Sequence, residues 1–116
     1  MSNQGDEAMS NKNQKMEIKQ KIERVKYAIA NIGEMRSGSL SVQYKNRKDK
    51  SGAFYQLSYT RNGKSRSESI KPIFLDKVQM EIKEYKKYTS LVDELTDLSI
   101  ELSRLNMKKK TKGAQL

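Results

Sequence analysis

The 116-residue chain predicts a small α+β domain. Its elements are an N-terminal helix, a three-stranded antiparallel sheet with an Asn-Gly hairpin, and a long C-terminal helix with a leucine heptad seam. Three observations predict this fold class: apolar residues at helical spacing near both ends, alternation of apolar and polar residues in the middle, and an Asn-Gly pair between two alternating runs. A chain of this length fits one domain with one modest core.

The first predicted element is a helix from near Lys15 to Ile32. Its apolar residues recur at spacings of four and three, which places them on one helical face: Ile18, Ile22, Val25, Ile29 and Ile32. Gly33 follows the last of them and is predicted to be the C′ residue in the left-handed conformation. Residues 1–15 are nearly all polar, so a disordered tail is predicted there and the ordered domain is predicted over residues 16–107.

Three strands are predicted next. Leu40, Val42 and Tyr44 alternate with polar residues, a pattern typical of a half-buried strand. Asn62 and Gly63 then separate two further alternating runs, and both residues tolerate the positive φ that a two-residue type I′ turn requires. This turn predicts three opposed pairs in the hairpin: Tyr59 with Arg66, Leu57 with Glu68, and Tyr55 with Ile70. One face is then apolar and the other is rich in hydroxyl groups.

The last predicted element is a helix from about Phe74 to Met107, after Pro72 ends the third strand. Its apolar residues form two successive stripes at helical spacing, which we call registers. The first register ends at Tyr85 and the second begins three residues later, at Tyr88. The step indicates either a local overwinding or the point where the helix stops covering the sheet and meets another helix. The second register forms a seam that is predicted to contact the first helix, a partner or a second copy of the chain: Leu91, Leu95, Leu98, Leu102 and Leu105.

The charge is concentrated in the middle of the chain. The net charge is +10, and residues 36–71 contain nine cations against only Asp49 and Glu68. A basic block of this kind favours binding to a polyanion, although a solvated surface without a ligand is the simpler alternative. Residues 108–116 are predicted to be a basic disordered tail. The candidate nucleic-acid contacts are Arg36, Lys45, Arg47, Lys48, Lys50, Arg61, Asn62, Lys64 and Arg66.

The chain contains no cysteine and no histidine. This composition excludes disulfides, thiolate chemistry and Cys/His zinc sites, and it removes the usual general base. We therefore expect no enzymatic activity, no cofactor and no metal; the acid pairs Glu81/Glu84 and Asp93/Asp97 have a spacing that is common in any charged helix, and no histidine completes a metal site. The chain also lacks an apolar run of about 18 residues and a signal-peptide core, so a cytoplasmic protein without a membrane contact is predicted.

Three segments together resemble a known family. They are Arg36-Ser37-Gly38-Ser39-Leu40, Gly52-Ala53-Phe54-Tyr55-Gln56-Leu57 and Gly63-Lys64, followed by the long helix. The family comprises small prokaryotic proteins of unknown function, often found in mobile-element and phage neighbourhoods. Its members often carry a cysteine cluster between the first two segments, whereas residues 43–50 here are cationic, so a metal-bound loop does not transfer to this chain.

The sequence thus favours a non-enzymatic, nucleic-acid-binding accessory protein of a mobile element or phage. It would contact phosphates of DNA or RNA with a basic loop and the hairpin tip, and Arg61, Asn62 or Arg66 would provide any sequence readout. The alternative is a small protein-binding inhibitor or adaptor that acts on a nucleic-acid-processing complex. That protein would use the basic face, or the acidic side chains of the last helix: Asp93, Glu94, Asp97 and Glu101.

Overall fold

The structure is a computed structural model that describes the backbone of residues 3–113 and the side chains of residues 11–108. It confirms the predicted α+β arrangement. The elements are listed in chain order: helix α1 (Asn3–Ala30), strands β1 (Ser39–Asn46), β2 (Ser51–Arg61) and β3 (Lys64–Ile70), a 3₁₀ turn (Pro72–Phe74) and helix α2 (Leu75–Gly113). The contacts divide the chain into a sheet unit, Ile32–Tyr88, and a helix unit that comprises residues up to Asn31 and from Thr89 onward.

Helix α1 begins at Asn3, well before the predicted start near Lys15. No proline interrupts residues 3–14, and a helix that is already nucleated downstream extends at the cost of ordering one residue for each new hydrogen bond. The predicted tail is therefore helical from Asn3. The predicted domain boundaries at residues 16 and 107 stay predictions.

The end of α1 differs from the prediction. The helix ends at Ala30, and the side-chain amide of Asn31 donates to the carbonyl oxygen of Tyr27 at 2.7 Å. The same carbonyl oxygen also accepts from the backbone N–H of Asn31 at 3.2 Å, so Asn31 closes the last turn of the helix with both its backbone and its side chain. The left-handed conformation predicted for Gly33 is wrong, since the described glycines with positive φ are Gly38, Gly52 and Gly63. Because Asn31 already caps the helix, no glycine cap is needed further along.

The sheet has the strand order β1-β2-β3, with both pairs antiparallel. The register of β2 and β3 is the predicted one, because Tyr59 lies opposite Arg66 and Tyr55 lies opposite Ile70. At the turn, Asn62 has φ 55° and Gly63 has φ 74°, as a type I′ turn requires. The predicted hairpin is confirmed.

The core of the sheet unit is centred on Leu57, which is 0% exposed. Ile70 of β3 and Val78 and Ile82 of α2 complete this cluster, and Leu40 of β1 packs against it. The first part of α2 therefore covers the sheet face that carries Leu57. The opposite face of the sheet carries the alternate, mostly polar residues of each strand.

In the helix unit, α1 and the second part of α2 are neighbours, because Ile22 and Leu102 line one shared groove. Ile18, Ile22 and Val25 are buried, whereas all five leucines of the seam are half-buried. Leu102 of the seam thus lies beside α1 of the same chain, and a contact of the seam with a partner or a second copy stays a prediction. The two units divide α2 between Tyr88 and Thr89, where the register step predicted a change of neighbour. Helix α2 runs past Met107 to Gly113, so the backbone of the predicted basic tail is helical that far; its side chains beyond Lys108 lie outside the described residues.

Candidate nucleic-acid interface

The first group of candidate residues lies at the hairpin tip. The tip cluster comprises Arg61, Lys64 and Arg66, which are all exposed. Arg61 lies opposite Lys64 across the two-residue turn. The positive φ of Asn62 and Gly63 closes this turn and brings the cations of the two strands side by side. None of the three side chains forms a hydrogen bond or an ion pair with the other described residues.

The second group lies in the turn that joins β1 to β2. The loop cluster comprises Lys45, Arg47, Lys48 and Lys50, and all four residues are exposed. The loop is held by side chains at its two ends: the side-chain oxygen of Asn46 accepts from the backbone N–H of Lys48 at 3.1 Å, and Asp49 accepts from the backbone N–H of Ser51 at 3.1 Å. The only acid in the loop is thus hydrogen-bonded within it, and the four cationic heads have no ion-pair partner among the described residues.

The structure does not bring the two clusters together. The loop precedes Ser51 and the tip follows Arg61, so they lie at opposite ends of β2. A strand rises about 3.3 Å per residue, which separates the two ends by roughly 33 Å. One phosphate group therefore cannot contact both the loop and the tip. A polyanion that binds to both must span the distance between the two ends of β2.

The sheet is staggered, and each cluster lies on a two-stranded ribbon. Strand β1 starts at Ser39, opposite Ser58, so the tip beyond this pair consists of β2 and β3 alone. At the other end β3 stops at Ile70, opposite Tyr55, so the loop is carried by β1 and β2 alone. All three strands lie side by side only in the middle of the sheet.

The sheet face that α2 leaves open is polar and contains no acidic residue. We call it the open face; the register places on it Ser39, Ser41, Gln43, Phe54, Gln56, Ser58, Thr60, Ser65, Ser67 and Ser69. Lys45 belongs to the same face, because a Cβ atom on Gly52, opposite it, would lie 3.0 Å from the Lys45 Cβ. The open face therefore presents hydroxyl and amide groups without a charge that would repel phosphate.

Arg36 differs from the other candidates because its guanidinium is already engaged. Its Nη2 donates to the Glu68 carboxylate at 2.6 Å, and this hydrogen bond raises the pKa of Arg36 above its ordinary value. The guanidinium also lies 6.0 Å from the centre of the Tyr59 ring. Arg66 lies opposite Tyr59 in the hairpin, as predicted, and it is Arg36 that places its guanidinium near the Tyr59 ring. Arg36 neutralises Glu68, the only acid in the three strands.

Sequence reasoning missed a second group of contacts that joins α2 to the segment before β1. Lys77 donates to Glu81 at 2.6 Å and to Glu34 at 3.0 Å. The backbone N–H of Gly33 donates to Glu84 at 3.0 Å, and that of Arg36 donates to the carbonyl oxygen of Glu81. Glu81 and Glu84 thus hold the chain against α2. The four-residue spacing of Lys77 and Glu81 signalled part of this network.

The contact between Lys77 and Glu34 shifts the pKa of both side chains. The hydrogen bond and the positive charge of Lys77 hold the pKa of Glu34 below its ordinary value. The hydrogen bonds to Glu81 and Glu34 raise the pKa of Lys77. Both side chains are largely exposed, so solvent screens this pair and its contribution to stability is small.

Among residues 11–108, whose side chains are described, no group of three acidic residues is arranged to hold a metal ion. Neither of the two described α-helices has a stretch that is long and apolar enough to cross a bilayer. The comparisons with known proteins returned no matching family model, no similar curated protein and no similar solved structure.

Proposed function

We propose that this chain is a non-enzymatic nucleic-acid-binding accessory protein that contacts phosphates through the loop cluster and the tip cluster. The observation that supports this proposal is the set of seven exposed cations on the sheet, none of which has an ion-pair partner in the described chain. Exposed lysine and arginine side chains displace the counterions of a polynucleotide, which is the main source of its affinity for basic proteins.

The two acids of the basic segment offset this field only in part. Glu68 is paired with Arg36, and Asp49, which accepts hydrogen bonds within its own loop, is one negative charge beside the four cations of the loop cluster. A phosphate that approaches either cluster therefore meets an excess of positive charge. The resemblance to small mobile-element and phage proteins supports a role as an accessory component of such an element. The basic segment, residues 36–71, supports binding to phosphate groups.

The test is a salt titration of fluorescence anisotropy with labelled duplex DNA, single-stranded DNA and structured RNA. We expect binding that falls steeply with salt and differs among the three probes. The triple variant Arg61→Ala, Lys64→Ala, Arg66→Ala is expected to bind more weakly and to flatten the salt slope by roughly one to three units.

The matched control removes the same charge elsewhere. Lys12→Ala, Lys21→Ala, Arg24→Ala takes three exposed cations from α1 and is expected to keep most of the affinity and slope. If the tip variant keeps the affinity and slope of the unmodified protein, the tip is not a contact. If the unmodified protein loses all binding at physiological salt for every probe, the proposal fails.

A second candidate function is that of an inhibitor or adaptor that binds a protein of a nucleic-acid-processing complex. It is favoured by four exposed acids on α2 that have no ion-pair partner among the described residues: Asp93, Glu94, Asp97 and Glu101. A row of unpaired carboxylates can occupy a positively charged groove in place of a phosphate strand. Replacing the four with Asn and Gln would abolish capture of a protein partner under this alternative and leave nucleic-acid binding intact under the first.

A further inference from the structure

We infer that two copies of this chain associate through the outer edge of β1, so that their three-stranded sheets join into one antiparallel sheet. The inference goes beyond the proposed function and does not depend on it. It follows from the free backbone groups of β1, from the residues that a two-fold axis at Val42 places opposite one another, and from the charges beside the strand.

Strand β1 lies at an edge of the sheet, and every second residue of it has backbone groups without a partner strand. The two-residue turn joins Arg61 and Lys64 as a hydrogen-bonded pair, and such pairs alternate along an antiparallel ladder. The backbone groups of the even-numbered residues of β2 therefore point to the odd-numbered residues of β1. Those of the even-numbered residues of β1 point outward, and no other described backbone group bonds to them: Leu40, Val42 and Tyr44.

The two edges of the sheet differ in charge. The opposite edge strand, β3, carries Lys64, Arg66 and Glu68, and charged side chains are a means by which natural sheets prevent another strand from adding to an edge. In contrast, β1 has no charged residue from Ser39 to Tyr44, and the Val42 side chain is 48% exposed. The edge to which a further strand can add is therefore that of β1.

A second copy of β1 fits this edge when a two-fold axis perpendicular to the sheet passes beside Val42. Val42 then lies opposite Val42 of the second copy, and Leu40 lies opposite Tyr44. All three outward-facing residues thus form hydrogen-bonded pairs, whose Cα atoms lie about 5.5 Å apart. The neighbouring pairs place no like charges opposite each other: Ser41 with Gln43, and Ser39 with Lys45.

The charges beside β1 favour a second copy over a strand of another protein. Asp76 and Lys83, about two turns apart on one side of α2, line a groove together with Leu40 of β1. The two-fold axis reverses the direction of α2 in the second copy, so the Asp76 end of each groove faces the Lys83 end of the other. This arrangement of opposite charges is self-complementary and disfavours partners that lack it.

The association would enlarge the open face. Because the axis is perpendicular to the sheet, the open faces of both copies lie on the same side of the joined sheet. The joined surface carries no acidic residue at the positions that the register assigns to it. The two loop clusters, which follow β1 in each copy, lie on opposite sides of the axis.

The first experiment measures the mass in solution by sedimentation equilibrium over a dilution series. We expect the mass to approach twice the 13.4 kDa of the chain as the concentration rises. Val42→Lys places like charges opposite each other at the axis and is expected to weaken self-association about tenfold or more. The matched control, Ser67→Lys, adds the same charge to the middle of β3 and is expected to leave self-association unchanged. Circular dichroism verifies that both variants are folded.

The second experiment tests the register and needs no variant that weakens association. The chain contains no cysteine, so Val42→Cys introduces a single thiol. Its Cα atom would lie about 5.5 Å from that of the second copy, within the range of a disulfide, so mild oxidation is expected to link most of the protein into a covalent dimer. In Gln43→Cys the two Cα atoms are offset by two residues along the strands, beyond the limit of roughly 7 Å, and little cross-linking is expected.

Three results would overturn this inference. A mass that stays at that of one chain at every concentration means that the edge of β1 does not bind a second copy. A dimer that Val42→Lys leaves unchanged is formed elsewhere, through the leucine seam or, if Ser67→Lys disrupts it, through β3. Equal cross-linking of the Val42→Cys and Gln43→Cys variants means that the strands do not pair in this register. The proposed function is tested separately, by salt-dependent binding to nucleic acid.

Discussion

Leu57 of the sheet unit and the seam leucines of the helix unit are buried to different extents. In the sheet unit Leu57 is 0% exposed, because the strands on either side and helix α2 surround it. In the helix unit the seam leucines from Leu91 to Leu105 are only half-buried, and Leu102 lines a groove together with Ile22 of α1. A helix that packs on a sheet encloses the residues between them, whereas one helix on another leaves both flanks of the seam exposed to solvent. The buried apolar side chains of the helix unit are instead Ile18, Ile22 and Val25 of α1, so the contrast concerns the leucine seam of α2.

The largest effect is expected from truncation of the enclosed leucine. Leu57→Ala should lower the free energy of unfolding by about 3 kcal/mol, because a filled site becomes a cavity. Leu98→Ala, in the half-buried seam, should lower it by about 1 kcal/mol. Urea denaturation followed by circular dichroism measures both. Equal losses for the two variants would show that the units do not differ in packing as their burial indicates.

A smaller effect is expected at the entrance to β1, where Gly38 has φ 131°. A Cβ atom at this position would lie 2.7 Å from the carbonyl oxygen of Ser58 and 2.9 Å from Leu57 Cδ1. Gly38→Ala is therefore expected to lower the free energy of unfolding by about 2 kcal/mol.

Gly33→Ala is the matched control for that substitution. Its Cβ would meet only the Glu84 side chain, at 3.9 Å, and Gly33 does not have a positive φ. The change in the free energy of unfolding should stay within about 0.5 kcal/mol. A Gly38→Ala variant as stable as the Gly33→Ala variant would show that the sheet unit tolerates movement next to Leu57.

The smallest effect on stability is expected from the ion pair of Glu34 with Lys77 in the sheet unit. The acids on the helix-unit part of α2 have no such partner among the described residues. Because the pKa of Glu34 is lowered in the folded state, its contribution to stability is present above the unfolded pKa of about 4.3 and is lost as the pH falls through the folded value. We expect the carboxyl titration of Glu34, followed by NMR, to show a pKa below the ordinary value.

Removal of the partner tests the cause of that shift. In Lys77→Gln the hydrogen bond from a charged donor and the neighbouring positive charge are both lost, so the pKa of Glu34 should return towards its ordinary value. Lys83→Gln removes an exposed cation from the same helix and should leave the Glu34 titration unchanged. A Glu34 pKa that does not respond to Lys77→Gln would mean that this pair does not form in solution.

Much of the fold could be predicted because it depends on local patterns. The turn at Asn62-Gly63 determines which residues of β2 and β3 face one another, and the observed register agrees at each predicted pair. The step from Tyr85 to Tyr88 predicted where α2 changes neighbour, and the units divide after Tyr88. The helix end was predicted less well. Spacing alone did not show that Asn31, and not Gly33, caps α1.

The candidate site was predictable only as a set of residue types. The sequence located the cations of residues 36–71 and the absence of nearby acids, and these remain the basis of the proposed function. It did not separate Arg36 from the others, since its partner Glu68 is 32 residues away along the chain. It also did not show how far apart the loop and the tip lie, which the structure places at opposite ends of β2.

By itself, therefore, the sequence determined the helices, the hairpin and its register, and the position of the basic segment along the chain. These features depend on residues a few positions apart, whose spacing decides which face they share. Tertiary structure alone decided that Arg36 neutralises Glu68, that Glu84 binds the backbone of Gly33 from 51 residues away, and that the remaining cations form two separate clusters. Such contacts depend on how β1 and β3 are offset along β2 and on how α2 lies across one face. Local spacing does not encode that geometry.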